Sequence, residues 1–484
     1  MRKGLIGVLN IVGATLLNGA AWGQCEVTQL ASQGGFGRVS IDGDVAVIGD
    51  TDAFGSFGAA YVYRRGLGGP QDWTLQATLM APEPDSDDQF GSAVAVGDGV
   101  IVVSAHKTNG DAPHSGSAYT YRYDGAVWQY QTMLTASDSQ PGAIFGFSVA
   151  IDGDVILIGA RDDPNEGVFQ SGSAYIFRFD GANWIEETKL VDPDHEPCDL
   201  LGAVVSIRGD VALVGAHGND DAGLGTGAAF IFRRDPKDGS QWLLEQQLQA
   251  FDVPGNAWFG FSVSLTQNLA LVGAPQDDAQ LGAAYVMRYD GTRWVHETKL
   301  VASNPVGPFP LLGRSVSLSD DGTNALVAAP LDDEAGDQAG AIHLFRSNAK
   351  TWQEFVKIIA SDASPGDHLG LSVSLSGDMA LAKSGGRGYI FAGIQGIDCN
   401  ENNEPDACDI FGGKSSDDNG NGIPDECESI PGDIDGDGTV GATDLLILLT
   451  SWGPCENCDD CPADLDGNCT VGASDLLILL VNWG

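Results

Sequence analysis

The sixteen residues beginning at Phe145, FGFSVAIDGDVILIGA, decide the fold, because the chain writes them more than once. They return as LGAVVSIRGDVALVGA from Leu201 and FGFSVSLTQNLALVGA from Phe259, with weaker copies opening at Phe36, Phe90, Leu312 and Leu369. Successive starts lie 54, 55, 56, 58, 53 and 57 residues apart. A fixed period of this kind marks a repeat architecture. Inside a unit, Ser-Val-Ala-Ile alternates with period two, Gly-Asp turns the chain, and an apolar run ends in Gly-Ala. A variable polar loop leads to a third strand, GSAYIFR from Gly172, and then to a strand centred on Trp184 in NWIEETKLVD. These patterns are β throughout.

Four short antiparallel strands per unit match one propeller blade, and seven units lie within the usual blade count. The third strand recurs as GAAYVYR (Gly58), GSAYTYR (Gly116), GAAFIFR (Gly227), GAAYVMR (Gly282) and GAIHLFR (Gly340). Trp73, Trp128, Trp184, Trp242, Trp294 and Trp352 mark the fourth strand of six units, while the seventh ends near Gly396 without one. The missing piece stands at the front, where CEVTQLAS from Cys25 resembles HETKLVAS, which ends at Ser303. The N-terminal strand is therefore expected to complete the last blade and close the ring, removing open sheet edges.

Residues 24–396 resemble FG-GAP repeats, the blade units of integrin α-like propellers and of many secreted bacterial proteins. APQDD at Ala274 and APLDD at Ala329 stand nearest to that family's Gly-Ala-Pro element, although Ala328 replaces its Gly. Elsewhere Thr51, His106, Arg161, His217 and Ser384 stand in place of the Pro. The resemblance implies the fold and carries no ligand with it.

Charge narrows the partners. Against 67 Asp+Glu the 484-residue chain has only 24 Lys+Arg, a net charge of −43, and its 66 Gly are about twice the usual share. No cationic footprint for nucleic acid or an anionic membrane exists at whole-chain level. Cations are the favoured partners, Ca²⁺ first, because carboxylates are hard oxygen ligands. At the N-terminus, Arg2 and Lys3 precede an apolar run from Leu5 to Leu17, and Ala21 and Gly23 suit a cleavage site. Residues 1–23 thus read as a secretory signal, placing the protein outside the cell or at its surface. Gln24 before Cys25 argues against a lipoprotein signal, and no later stretch reaches membrane-spanning length.

From Ile397 the composition changes: the last 88 residues hold 20 acids against one base, Lys414, and seven of nine Cys. Two segments there are nearly identical, GDIDGDGTVGATDLLILLTSWG and ADLDGNCTVGASDLLILLVNWG. Each sets oxygen ligands at positions 1, 3, 5 and 12 of a 12-residue loop: Asp433, Asp435, Asp437 and Asp444, then Asp464, Asp466, Asn468 and Asp475. Thr439 and Thr470 at position 7 would supply backbone carbonyls, as in an EF-hand-type Ca²⁺ loop. Residues 431–484 resemble a type I dockerin, a helical EF-hand-like module. That resemblance implies Ca²⁺ as cofactor, a cohesin-type partner, and Thr443 and Ser474 as contacts in two orientations related by a half-turn. Gly438 occupies position 6 of the first loop but Cys469 that of the second, so the second site should be weaker or depend on a disulfide.

Upstream, Asp417, Asn419, Asn421, Asp425 and Glu428 keep the same register, as do Asp398, Asn400, Asn402, Asp406 and Asp409. Residues 397–430 resemble thrombospondin type 3 repeats, which implies a further Ca²⁺-binding linker; Asn/Asp/Gly turns without metal are the alternative. The cysteines Cys455, Cys458, Cys461 and Cys469 are expected in disulfides rather than around iron or zinc in an exported chain, and an odd total leaves at least one unpaired. Acidic pairs after the second strands (Asp162-Asp163, Asp220-Asp221, Asp277-Asp278, Asp332-Asp333) read as turn residues on a solvated face, with cation sites ringing that face as the alternative. His106 and His217, at equivalent blade positions, read as surface variation. The recurrent Arg after the third strand and the recurrent Trp read as structural. No H-E-x-x-H, G-x-S-x-G or phosphate loop is present.

The expected protein is mainly β: a seven-bladed propeller, a small Ca²⁺-binding linker and an α-helical dockerin-like tail. Its expected role is non-catalytic, with the propeller binding a protein or glycan and the tail attaching to a cohesin. The alternatives are an extracellular polysaccharide-degrading enzyme carrying a dockerin and a Ca²⁺-stiffened adhesin.

Overall fold

The computed structural model describes residues 25–32, 35, 37–66, 71–239, 241–252, 255–348 and 351–396. Beyond these it describes 405–416, 424, 432, 434, 440–455, 461–466, 468–481 and 483. Two compact units divide at Gly396 and Ile397.

The first unit is a seven-bladed β-propeller, each blade a four-stranded antiparallel sheet. In blade 3 the strands are Phe145–Asp152, Val155–Ala160, Ser173–Phe179 and Trp184–Leu190, running from the axis outward. The second strands of blades 3, 4 and 5 are buried end to end, which explains their unbroken apolar runs. Second-strand side chains pack between blades: Val102 and Ile156 share one layer between blades 2 and 3 with Phe145, Tyr175 and Trp184.

The inner strands diverge and cannot pair with one another, so their backbone N–H groups need other acceptors. The alternating serines supply them. Ser40 Oγ accepts from Val96 N at 3.1 Å and Ser317 Oγ from Leu375 N at 3.0 Å. Across the junction between blades 7 and 1, Ser372, Ser374 and Ser376 accept from Val39, Ile41 and Gly43.

The N-terminal strand β1 (Cys25–Ala31) completes blade 7, pairing antiparallel with Arg387–Ala392 from Cys25↔Ala392 to Ala31↔Arg387. It also performs the fourth strand's chemistry. Glu26 accepts from Ser361 N at 2.8 Å and from Ser361 Oγ at 3.0 Å, as Glu186 does from Ser137 at 2.8 and 2.7 Å.

Two recurrent side chains tie neighbouring blades at the outer rim. Trp128, Trp184, Trp242 and Trp352 donate their indole N–H to Gln76, Gln131, Glu187 and Glu297 of the preceding blade. Arg64, Arg122 and Arg233 lie over Tyr123, Phe179 and Tyr289 of the following one, each within 4.9 Å of the ring centre.

In the second unit the described elements are α1 (Asp406–Phe411), α2 (Ala442–Thr450) and α3 (Ala473–Val481), with a two-residue pairing of Gly453–Pro454 to Thr470–Val471. Val440, Leu448, Ala463, Val471 and Leu479 form its small core. Cys455 and Cys461 are disulfide-bonded to each other, Cys25, Cys408 and Cys469 are also in disulfides, and Cys198 is a free thiol. Among the described residues no helix is long and apolar enough to cross a membrane.

Candidate functional sites

Of the expected metal ligands, the second tail loop is the one the described residues display. Asp464, Asp466 and Asp475 each offer a carboxylate oxygen, all within 4.8 Å of one another. Asp475 is fully buried at the start of α3, where it accepts from Leu465 N, Asp466 N and Gly472 N at 2.8, 3.1 and 2.7 Å. It therefore binds the loop's start to the helix N-terminus, where negative charge is favoured. Asp464 accepts from Cys469 N at 2.7 Å and Asn468 N at 3.1 Å. Cys469 has a φ of +67°, the left-handed conformation that position 6 requires, held by a non-Gly residue in a disulfide. The Ser474 hydroxyl, with Asn468, holds the Asp466 carboxyl below its usual range. A hard-oxygen donor set of this kind fits Ca²⁺.

In the first loop Asp444 repeats this geometry: buried, it accepts from Ile434 N and Gly441 N, both at 2.7 Å. Asp433, Asp435, Asp437 and Thr439 lie outside the described residues, as do Asp398, Asn400, Asn402, Asp417, Asn419, Asn421, Asp425 and Glu428. Asp406 opens α1 and Asp409 is buried within it. Thr443 and Ser474 are exposed on the first turns of α2 and α3. Beyond them each helix shows a matching apolar face: Leu446 and Leu477 are 62% and 63% exposed, Leu449 and Leu480 50% and 51%. Trp452 and Trp483 follow in the same register.

Of the acidic pairs of the propeller, Asp220-Asp221 is exposed as a solvated turn, and the other three are not. One member of three pairs is buried: Asp163, Asp277 and Asp332. Asp163 takes Ser173 Oγ at 2.6 Å, Tyr175 OH at 3.0 Å and Lys189 Nζ at 2.8 Å. Asp277 takes Tyr285 OH at 2.6 Å and Lys299 Nζ at 2.7 Å, and Asp332 takes Lys357 Nζ at 2.8 Å. Burial opposes the charge on Lys189 and Lys299, but their paired aspartates overcome it and hold both above the usual lysine range. An ammonium group thus occupies the place a bound cation would take.

Nor are His106 and His217 surface variants. With Arg161 they line the axial channel, a cavity of about 620 Å³ enclosed by the inner strands of the blades. Arg38, Arg314 and Lys383 line it too. Lys383 stands in its strand where Gly49, Gly159, Gly215 and Gly273 stand in theirs. That break in the repeat was the signal available in the sequence, and repeat matching by likeness passes over it.

The seven sheets on one axis, closed by β1, define a seven-bladed propeller protein. The profile of the FG-GAP repeat family matches residues 73–121, 128–177, 184–232, 242–287, 294–345 and 352–382, more than half the chain. The protein therefore belongs to the FG-GAP repeat family. The first five matches begin at a fourth-strand Trp and end in the next blade's third strand, so the family's repeat unit spans a blade junction. A search of curated proteins found no match to the chain.

Proposed function

We propose that this FG-GAP propeller is a secreted, non-catalytic binding protein whose tail attaches it, in the Ca²⁺-bound state, to a cohesin-type module. The propeller supplies a ligand surface, protein or glycan, and the tail supplies the anchor. The observation that carries this reading is the tail's doubled geometry. A carboxylate cluster suited to Ca²⁺ leads into the first turn of α3, and α2 and α3 expose the same apolar residues in the same register. Exposed apolar faces of this size belong to interaction surfaces. Asp464, Asp466, Asn468 and Asp475, with the Thr470 carbonyl, would hold the ion in the second loop. Asp433, Asp435, Asp437, Asp444 and the Thr439 carbonyl would do so in the first. When bound, Ca²⁺ neutralises the clustered carboxylates and fixes the loop against its helix. The linker of residues 397–430 is proposed to bind further Ca²⁺.

The test is capture of the full chain by immobilised cohesin modules in Ca²⁺ and in EDTA. Capture that requires Ca²⁺, and that falls only when Thr443 and Ser474 are both replaced, supports the reading. Indifference to EDTA refutes it. Release of sugar products from polysaccharides by the purified chain would instead favour an enzyme.

A further inference from the structure

The strongest charge anomaly in this acidic protein lies at one end of the axial channel. Arg38 and Arg314 follow the first two residues of their repeats, and Arg161, His106 and His217 follow the second strands, so all five meet at the same mouth. Lys383, fully buried, joins them from blade 7, donating to the Gly49 carbonyl at 2.9 Å. The guanidinium groups are oriented by aromatic rings: Arg161 lies 4.2 Å from the centre of Phe147, Arg314 4.3 Å from that of Phe261. Stacking occupies a guanidinium's face and leaves its N–H edge for another acceptor.

Those edges are largely unanswered. Carboxylates near the mouth are Asp162, which pairs with Arg161 at 3.0 Å, and Asp50 and Asp52, whose charges bear on Lys383. Among the described residues no hydrogen bond or ion pair reaches the Arg38 or Arg314 side chains. Burial, and then repulsion from Arg314 and Arg161, pulls Arg38 down to about 10. Cations held together at a half-buried mouth repel one another, and an anion that joins them relieves that repulsion. The channel's far end has the reverse character, with Asp42, Asp98, Asp152 and Asp320 around Arg208.

We propose that the basic mouth of the axial channel is a binding site for an oxyanion group, sulfate or carboxylate, carried by a sugar-sized ligand. Arg38 and Arg314 make the principal contacts, with Arg161 flanking them and His106 and His217 as neutral hydrogen-bonding groups. The mouth opens into the axial channel of about 620 Å³, which has room for a monosaccharide with its charged substituent. This deepens the binding half of the function proposed above and is independent of the tail.

The experiment is calorimetric titration of the full chain, in Ca²⁺ and at matched ionic strength, with sodium sulfate, glucose 6-sulfate, glucuronate and uncharged glucose. The charged ligands should bind and glucose should not. Tighter binding of the charged sugars than of inorganic sulfate assigns the group to a glycan source, and the reverse order assigns a free anion. Arg38→Gln and Arg314→Gln should each weaken binding at least tenfold, while Arg65→Gln, on the outer rim, should leave it unchanged. Equal binding by all variants, or no binding of any charged ligand, overturns the proposal. Should the channel variants fail to fold, crystals of the natural protein grown with selenate decide the matter. Anomalous signal at the mouth supports the site, and signal only elsewhere overturns it. Ca²⁺-dependent cohesin capture, measured in parallel, separates failure of this site from failure of the tail reading.

Discussion

Replacing Gly172 by Ala tests the contact that joins one blade to the next. Gly172 precedes the third strand of blade 3 with a φ of +81° and forms a parallel bridge to Leu201, the first residue of blade 4's repeat. A Cβ there would lie 2.2 Å from Leu201 O, 2.4 Å from Leu201 N and 2.9 Å from Arg161 O. All three are backbone atoms, so no side chain can swing aside. Gly209 is the matched control: its φ is +56°, yet a Cβ added to it would meet nothing within 4 Å. Left-handed backbone costs both alanine variants about 1–2 kcal/mol. Overpacking adds about 1–3 kcal/mol at Gly172 alone. The expected losses are therefore about 2–5 kcal/mol for Gly172→Ala and about 1–2 for Gly209→Ala. Urea unfolding followed by Trp fluorescence measures both, with the denaturant slope checked for constancy. Equal midpoints for the two variants would refute the argument that the glycine is required by the neighbouring blade.

Lys299→Met leaves Asp277 buried beside Tyr285 without its cation and should destabilise by about 3–5 kcal/mol, whereas Tyr285→Phe should cost only about 1–3; thermal melts rank them. His106 and His217 are each lowered to about 4, chiefly by burial and then by neighbouring cations. The unfolded chain takes up those protons near pH 6.5, the folded chain only near 4, so stability should fall as pH drops through that window. In His106→Gln/His217→Gln the urea midpoint should depend less steeply on pH there. Asp475→Asn should remove one Ca²⁺ from the stoichiometry of the full chain by calorimetry, and an unchanged count contradicts the ligand assignment.

The repeats made the ring legible because each blade must satisfy the same demands: alternating inner strands, a buried second strand and a Trp at the rim. Even closure could be read, since Glu26 sits in β1 where Glu186 and Glu354 sit in full fourth strands, and all three take a serine backbone N–H. An acidic pair by itself does not show which member turns inward; Asp163, Asp277 and Asp332 share only their place three residues after the alanine that ends the second strand. Asp162 and Asp163 are adjacent in sequence, but only Asp163 meets Tyr175 and Lys189, which arrive from later strands. The channel mouth was hidden for another reason. Arg38, Arg161, Arg314 and Lys383 come from blades 1, 3, 6 and 7, and no local spacing relates them.

That dispersal ties the proposed site to ring closure. Arg38 and Lys383 belong to the two blades that meet where the chain begins and ends its circuit. The Lys383 ammonium reaches the Gly49 carbonyl across that junction, beside the serines that accept Val39, Ile41 and Gly43. An opened ring would separate these cations and relieve their repulsion, so the mouth works against closure while β1 and the serine bonds work for it. An oxyanion at the mouth changes the sign of that contribution by bridging Arg38 with Arg314. Binding should then strengthen the junction most, and hydrogen exchange in β1 and Arg387–Ala392 should slow on addition of the ligand more than in any other blade. Uniform slowing across all seven blades would mean that the anion stabilises the ring without acting through its junction.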